Sequence, residues 1–406
     1  MKNEVSVVFI SILIFWLIFA PKSAIIPDTT TSGSITNSIS LFLVLYVFRD
    51  LKYIFIGRNR TFNLLLLAYF AISVYSVYYN ADAIGKYELT PLSRDSEALP
   101  QGTTTIKYLL YYCIGVFASS LYIQRISNTK YIKTLLKTFI ILFLIVLIPS
   151  YLEVVTTPIE KGILTEYSFG NKFTLGYYHL YLCTIYYLIH PYLENKKQKL
   201  CLFFLVFWMF VSDIISQCST MIMGSLIFML LSLLTSNALL NRLASAKSII
   251  IYILIFNIGF FFFVTWVLQF EVIQYFIEDI LNKDLSLTGR IQIYTDIQEA
   301  FTESPWIGLG YGNAIVVAKY YTDAYNTQNG LVELFIQTGV IGVVTFLFLV
   351  YTASKALDKN NIIKYVLVAF IYAIIGISTV EIPFKHNFIF FLSFCFIQRK
   401  GYQRSL

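Results

Sequence analysis

The sequence predicts an all-α integral membrane protein with about twelve transmembrane helices and a large, partly helical outer loop between spans nine and ten. Of its 406 residues, 57% are apolar and only 13% are charged. Along the chain, apolar runs recur that reach the ~20 residues needed to cross a bilayer as a helix. Lipid offers the backbone no hydrogen-bond partners, so such runs must bond internally, which a helix does.

The twelve spans follow from hydropathy and from the polar breaks between apolar runs. The first run ends at Pro21-Lys22 without a small-x-small cleavage site, so we interpret it as a span rather than a cleaved signal peptide. In order, the predicted spans are 5–20, 35–56, 61–79, 106–124, 134–155, 173–193, 200–216, 218–236, 248–270, 331–353, 362–380 and 384–398.

The distribution of charge predicts the orientation of these spans. With the N-terminus inside, the inner connections and tail hold 20 of the 30 Lys and Arg residues but only 4 of the 23 acidic residues. Such an excess of basic residues on one side is the positive-inside pattern of multi-pass membrane proteins. It predicts an even number of spans with both termini cytoplasmic, and it accounts for the net charge of +7 without a nucleic-acid partner.

Three polar inserts lie on the predicted outer side, at residues 80–105, 156–172 and 271–330. The chain therefore divides into residues 1–270 with transmembrane helices one to nine, a large extracytoplasmic loop at 271–330, and residues 331–406 with helices ten to twelve and a cytoplasmic tail. Sixty residues are far more than a connection requires. Because a rigid bundle often positions functional loops, we expect the site on this side.

The large insert contains the stretch TGRIQIYTDIQEAFTESPWIGLGYGN, residues 288–313. Apolar positions in 291–301 recur at helical spacing, which predicts an amphipathic helix that Ser304-Pro305 ends. Arg290 lies in its first turn, where the helix dipole favours an anion rather than a cation. A guanidinium can bind two oxygens of a phosphate in fixed geometry, so we predict a ligand contact. The alternative is an interfacial arginine on a lipid head group.

The glycines of WIGLGYGN predict a tight turn rather than a nucleotide-binding loop. No Lys-Ser/Thr follows Gly308, Gly310 and Gly312, and no strand precedes them. Farther along, Gly339 and Gly342 in predicted span ten are small enough to let another helix approach closely.

Together these stretches resemble the signature segment of the O-antigen polymerase and ligase superfamily. The similarity covers residues 286–350: a Gly-Arg helix start, an acidic turn ending in Ser-Pro, G-x-G-x-G, a polar-Asn pair, and L-x-E-x-x-x-x-x-G-x-x-G entering a span. The stretch FGNKFTLGYYHLY, 169–181, is similar to the start of a middle span in bacterial surface-polysaccharide polymerases. SQCSTMIMG, 216–224, resembles a third family position but lacks its arginine.

This resemblance implies a glycosyltransferase C-like enzyme of the bacterial cytoplasmic (inner) membrane with its active site on the outer face. Its substrates would be undecaprenyl-pyrophosphate-linked glycans, as donor and acceptor, and its reaction the polymerisation of repeat units into O-antigen or capsular-type polysaccharide. A chain-length regulator and a flippase are the implied membrane partners.

The family also implies roles for single residues. Its arginines hold the donor pyrophosphate, a role that passes to Arg290. Its ligases carry a His-Asn pair where this chain has Gln328-Asn329, and an amide does not accept a proton at neutral pH. We therefore favour a polymerase. The alternatives are an O-antigen ligase, which attaches the glycan to another acceptor, and a flippase for the lipid-linked sugar, although we find no internal repeat typical of transporters.

Other polar residues near predicted span mouths are candidates by their chemistry. Lys172 and Lys385 lie at outer span ends, although a lysine there can also snorkel to the interface. His179 lies ~10 Å inside span six from Lys172, at 1.5 Å per residue, and ionisable residues in spans are often functional, although a histidine can simply bond a neighbouring helix. The catalytic candidates are Arg290, Lys172, His179, Glu333 and His386, with Asp213 and Asp296 as further carboxylates; the substrate-binding candidates are Arg290, Lys172, Gln328, Asn329, Tyr311 and Lys385.

The sequence carries no motif for a metal or a cofactor. It has no paired-carboxylate DxD, no HExxH, and no Cys or His cluster in the outer inserts. We therefore predict metal-independent transfer without a cofactor.

Overall fold

A computed structural model describes most of the chain. The described residues are 2–19, 29–48, 51, 54–55, 59–81, 106–127, 129–156, 166–190, 196–233, 242–266, 270, 290–322, 324, 326–357 and 363–397. Most of the predicted inserts 80–105 and 156–172, and residues 271–289 of the large loop, lie outside this set.

The described chain is almost entirely helical. The helices are α1 Lys2–Phe19, α2 Thr29–Val47, α3 Arg60–Tyr79, α4 Ile106–Ile126, α5 Ile132–Thr156, α6 Lys172–Ile189, α7 Lys196–Ile215, α8 Ser219–Leu233, α9 Ala246–Trp266, α10 Arg290–Asp296, α11 Ala300–Glu303, α12 Ala314–Thr322, α13 Gly330–Leu357, α14 Lys364–Ser378 and α15 His386–Phe391, followed by a 3-10 helix at Leu392–Phe396. A hairpin of two short strands precedes α6: β1, Glu166–Tyr167, pairs antiparallel with β2, Gly170–Asn171.

Six described helices have the length and apolar character to cross a membrane. They include Arg60–Tyr79, Leu109–Ile126, Ile132–Thr156, Lys196–Ile215, Ala246–Val264 and Gly330–Leu357, and five shorter apolar helices accompany them. The predicted all-helical, multi-span class is therefore confirmed, whereas the number twelve stays a prediction.

The bundle is built around α6 and α14. Every residue of α14 from Val366 to Ser378 is buried, as expected for a helix that is apolar all round. α14 packs along α8, and α6 packs between α5 and α7. Midway along α6, the ring of Tyr181 lies 4.4 Å from that of Phe391, which ties α6 to α15. This packing brings the start of α6 and the segment that follows α14 to the same cavity.

The predicted helix at 291–301 is two short helices instead of one. α10 ends at Asp296 and α11 begins at Ala300, and the backbone bonds between them run from residue i to i−3, from Glu299 N to Asp296 O (3.4 Å) and from Ala300 N to Ile297 O (3.1 Å). This tighter winding breaks the α-helical register. The predicted inward face is kept, because Tyr294 and Ile297 are buried while Glu299 is exposed.

α13 is kinked at Gly339, where the loop of residues 305–310 packs against it. The backbone φ of Gly339 is +62°, and a Cβ atom there would lie 2.3 Å from the carbonyl carbon of Trp306. Backbone N–H groups bond across the contact, from Leu309 to Ile336 O (2.6 Å) and from Val340 to Pro305 O (2.9 Å). The prediction that Gly339 admits a second helix is therefore wrong, because a loop occupies that space.

The substitution Gly339→Ala should destabilise the folded protein. The backbone of Gly339, with φ +62° and ψ −168°, lies in a region open essentially only to glycine, which costs another residue roughly 1–3 kcal/mol. The added Cβ would also overlap Trp306 backbone atoms that cannot swing away. We expect a lower unfolding temperature in detergent than for the matched control Gly259→Ala, since Gly259 lies within α9 with nothing within 4 Å of its added Cβ. Equal unfolding temperatures for the two variants would contradict the close packing of this loop against Gly339.

Candidate functional site

A cavity of about 720 Å³ opens at one end of the bundle, where the starts of α6, α8 and α10 meet the segments before α13 and after α14. This is the end that the charge pattern predicts to face outward. Four predicted site residues line the cavity: Lys172, Arg290, Gln328 and Lys385. They come from four separate segments of the chain, so the bundle brings them together.

Lys172 is positioned by the hairpin and by the cap of α6. Tyr167 pairs with Gly170 in the hairpin, and the side chain of Asn171 caps the helix by accepting from Thr174 N at 3.1 Å. Lys172 is the first residue of the helix, and its Nζ donates to the carbonyl oxygen of Gln217 at 3.4 Å. The ammonium group therefore lies beside the turn between α7 and α8 at the cavity wall.

Arg290 is positioned by the buried tyrosine one turn after it. The hydroxyl of Tyr294 donates to the carbonyl oxygens of Gln328 (2.9 Å) and Thr379 (3.3 Å), so it joins α10 to both neighbouring segments. Burial raises the pKa of Tyr294, which keeps this hydroxyl protonated as a donor. The anchor explains why Arg290 and Gln328 share one cavity.

Gln328 and Asn329 are adjacent in sequence but differ in their surroundings. Gln328 has a φ of +49°, its backbone N–H donates to Asn326 Oδ1 (2.9 Å), and the residue is part of the cavity lining. Asn329 instead caps α13, because its Oδ1 accepts from the backbone N–H groups of Leu331 and Val332, each at 3.1 Å. Asn329 is buried and is not part of the described cavity lining.

Glu333 and Tyr311, two further predicted site residues, also lie outside the described cavity lining. Glu333 is buried and accepts from Thr327 Oγ1 and Gln337 Nε2, each at 3.0 Å, so it holds the segment that leads into α13. Tyr311 is half-buried and packs against the main core.

The two candidate histidines are likewise held by contacts outside the cavity lining. His179 is buried in α6, and its Nδ1 shares a hydrogen bond with the hydroxyl of Tyr151. The Nε2 of His386 bonds the carbonyl oxygen of Ile18 at 3.0 Å, and its ring packs edge-on against Tyr112 at 4.8 Å. Their predicted catalytic roles stay predictions.

The two further carboxylate candidates also bond within the protein. Asp213 is buried and accepts from Ser225 Oγ at 2.5 Å, and Asp296 accepts from Gln292 Nε2, also at 2.5 Å.

The cavity also contains Glu381, which is not among the site residues that the sequence predicts. It is the one acidic residue in the described lining and shares the cavity with Lys385 and Arg290. Burial raises the pKa of Glu381, and the positive charges of Lys385 and Arg290 partly oppose that rise. The sequence signal that could identify Glu381 is the motif VEIPFKHNF, in which a carboxylate and a lysine lie on either side of a proline between two apolar runs.

The rest of the lining is rich in carboxamides and tyrosines. A carboxamide both donates and accepts hydrogen bonds, which suits the hydroxyls of a sugar, and a phenol ring offers an apolar face next to a polar group. The carboxamide residues are Asn171, Gln217, Asn326, Gln328 and Asn387, and the tyrosines are Tyr177, Tyr178 and Tyr181. With three cations beside them, these groups fit a ligand that combines phosphate with sugar.

Nothing in the described part of the chain groups three His, Cys, Asp or Glu side chains in a way that could hold a metal ion. The predicted metal independence stays a prediction.

Comparison with known families identifies one matching segment. Residues 204–347, which run from α7 into α13, match the family model described as O-antigen ligase. This confirms the resemblance to the O-antigen polymerase and ligase superfamily that the signature segment predicts. Comparison with curated proteins and with solved structures gives no match.

Proposed function

Because residues 204–347 match the O-antigen ligase family, we propose that this protein is a membrane glycosyltransferase that polymerises undecaprenyl-pyrophosphate-linked repeat units. The product is O-antigen or capsular-type polysaccharide, made at the outer face of the bacterial cytoplasmic membrane. One observation carries the proposal: Lys172, Arg290 and Lys385 line one cavity at the end of the bundle predicted to face outward.

These cations serve the chemistry of a pyrophosphate leaving group. As the anomeric C–O bond breaks, negative charge grows on the bridging oxygen, and fixed positive groups lower the energy of that transition state. Arg290 can bind two phosphate oxygens at once, whereas Lys172 and Lys385 act as point charges. The carboxamides and tyrosines hold the sugars so that the acceptor hydroxyl is aimed at the anomeric carbon.

Deletion of the gene and complementation test this function. We expect the deletion strain to attach only single repeat units, and the wild-type gene to restore a ladder of longer chains on a gel. A deletion strain that still makes long chains on the carrier lipid but cannot attach them would contradict the polymerase.

That second outcome would support the other candidate, an O-antigen ligase, which the description of the matching family favours. Against it stands Gln328 in place of the histidine that the resemblance leads us to expect in a ligase. The family match gives no support to a flippase. Formation of a glycosidic bond by purified protein in detergent would separate a transferase from a transporter.

Chelation of divalent cations should leave the activity within about twofold of the untreated enzyme. The described lining offers three cations and one carboxylate, a set suited to binding phosphate directly rather than through a metal, which prefers several oxygen ligands. The measurement is the rate of chain extension by purified protein with and without EDTA. Complete loss that one divalent cation restores would contradict the prediction.

A further inference from the structure

The transfer requires a group that takes a proton. The acceptor hydroxyl oxygen forms a bond to the anomeric carbon, the bond from that carbon to the pyrophosphate oxygen breaks, and the pyrophosphate leaves with the electron pair. The hydroxyl proton must pass to a base. Gln328 cannot accept it, because its amide is not basic at neutral pH.

We propose that Glu381 is the general base that accepts the proton of the acceptor hydroxyl, an assignment that rests on the proposed transferase function. It is the one carboxylate in the described cavity lining, and it shares that lining with the cations that would hold the departing pyrophosphate.

The turn after α14 fixes Glu381 at the cavity. Its backbone N–H donates to Ile377 O at 3.0 Å, which extends the last turn of the helix. Four residues later, Lys385 N–H donates to Pro383 O at 2.7 Å and closes a tight turn. The intervening Phe384 is buried, with its ring 5.0 Å from that of Phe346. A carboxylate and a lysine are thereby placed at one cavity by a packed segment.

The surroundings of Glu381 make its carboxylate more basic than an ordinary one. Burial and the nearby Glu333 raise its pKa, while Lys385 and Arg290 lower it, and burial is the largest effect. Tyr177, Cys218 and Tyr294 also interact with it electrostatically, and Tyr177 and Cys218 belong to the same lining. A base with a pKa nearer the working pH takes a proton more effectively than an ordinary carboxylate.

The other acidic candidates are placed less well for this role. Glu333 accepts hydrogen bonds from Thr327 and Gln337 and lies outside the described lining. Asp213 is buried between α7 and α8 and accepts from Ser225. Glu381, in contrast, lines the space that the substrate would fill.

The test compares the purified full-length wild-type protein with the variants Glu381→Gln and Glu381→Asp. The control is Glu299→Gln, which makes the same change from carboxylate to carboxamide at an exposed residue in the turn between α10 and α11. The substrate is lipid-linked oligosaccharide extracted from the deletion strain. The readouts are the rate of chain extension against pH and the apparent KM for the extracted lipid. Gel filtration checks that each variant is folded.

We expect Glu381→Gln to lose roughly 10²–10⁴-fold in kcat, the usual contribution of a general base, with KM changed by less than about threefold. Its residual rate should lack the acid limb of the wild-type pH profile. Glu381→Asp, which keeps the carboxylate, should retain clearly more activity than Glu381→Gln, and Glu299→Gln should match the wild type.

The two hypotheses fail in different ways. If the wild-type protein does not extend the lipid-linked oligosaccharide, the proposed function is wrong. If it does, and folded Glu381→Gln extends chains at the wild-type rate or keeps the acid limb, Glu381 is not the base. A folded Glu381→Asp variant as inactive as Glu381→Gln would also overturn the assignment.

Discussion

The substitution Arg290→Ala should abolish the polysaccharide ladder and lower the rate of chain extension by roughly 10²–10³-fold, as expected when one group that stabilises transition-state charge is removed. The guanidinium is held in the cavity by α10, which Tyr294 anchors to the neighbouring segments. Arg290→Lys should recover part of the loss, because lysine keeps the charge but cannot bind two oxygens in fixed geometry. The measurement is the initial rate with purified protein, alongside the ladder in complemented cells.

A matched control separates this effect from a general loss of positive charge. Lys319 lies in α12 and is not part of the described cavity lining, so Lys319→Ala should keep a wild-type ladder. Membrane protein levels should be equal for both variants. A normal ladder from Arg290→Ala, or equal losses from both variants, would contradict a specific role for Arg290 in binding the pyrophosphate.

The sequence predicted much of the site because topology alone restricts where outer residues can lie. Lys172, Gln328 and Lys385 lie near predicted outer span ends, and Arg290 lies in the large outer loop, so all four are predicted on one side of the membrane although they are far apart in the chain. A compact bundle brings such ends together, and the cavity contains all four.

The sequence did not distinguish cavity residues from buried ones. His179 and Glu333 are candidates because they lie in predicted spans, where ionisable residues are often functional. In the structure, both are buried and bonded to neighbouring side chains, His179 to Tyr151 and Glu333 to Thr327. Glu381 shares the cavity with the cations, but no local pattern identifies it, because its place depends on how α14 packs against α8.

The difference between local pattern and distant packing also explains where the predicted secondary structure departs from the observed one. A long apolar run predicts a helix, because backbone groups in the membrane must form their hydrogen bonds within the run. The kink at Gly339 depends instead on a loop that is distant in sequence, with Leu309 bonding Ile336 O and Asn80 Nδ2 bonding Gly308 O at 2.8 Å. Hydropathy carries no information on such a contact, so the sequence predicts span ten at 331–353 without indicating a kink.

The substitution Lys385→Met should both slow the reaction and move its pH dependence. Loss of a cation beside the departing pyrophosphate should lower the plateau rate by about tenfold, equivalent to about 1.4 kcal/mol of transition-state stabilisation. Lys385 also lowers the pKa of Glu381, so its removal should raise that pKa further. Because a base must be deprotonated to act, the acid limb of the rate profile should move to higher pH.

The direction of the shift distinguishes Lys385 acting on Glu381 from Lys385 acting on the substrate alone. If Lys385 bound only phosphate, the rate would fall equally at every pH and the midpoint of the acid limb would stay in place. On the Glu381→Gln background, the added Lys385→Met change should leave no acid limb to move. Two outcomes would show that Glu381 and Lys385 do not form the coupled pair that their shared cavity implies. In the first, the midpoint of the acid limb moves to lower pH in Lys385→Met. In the second, it moves equally in Lys319→Met. A shift to higher pH confined to Lys385→Met would instead tie the base and the anion-binding cation to one site, as the turn from Glu381 to Lys385 requires.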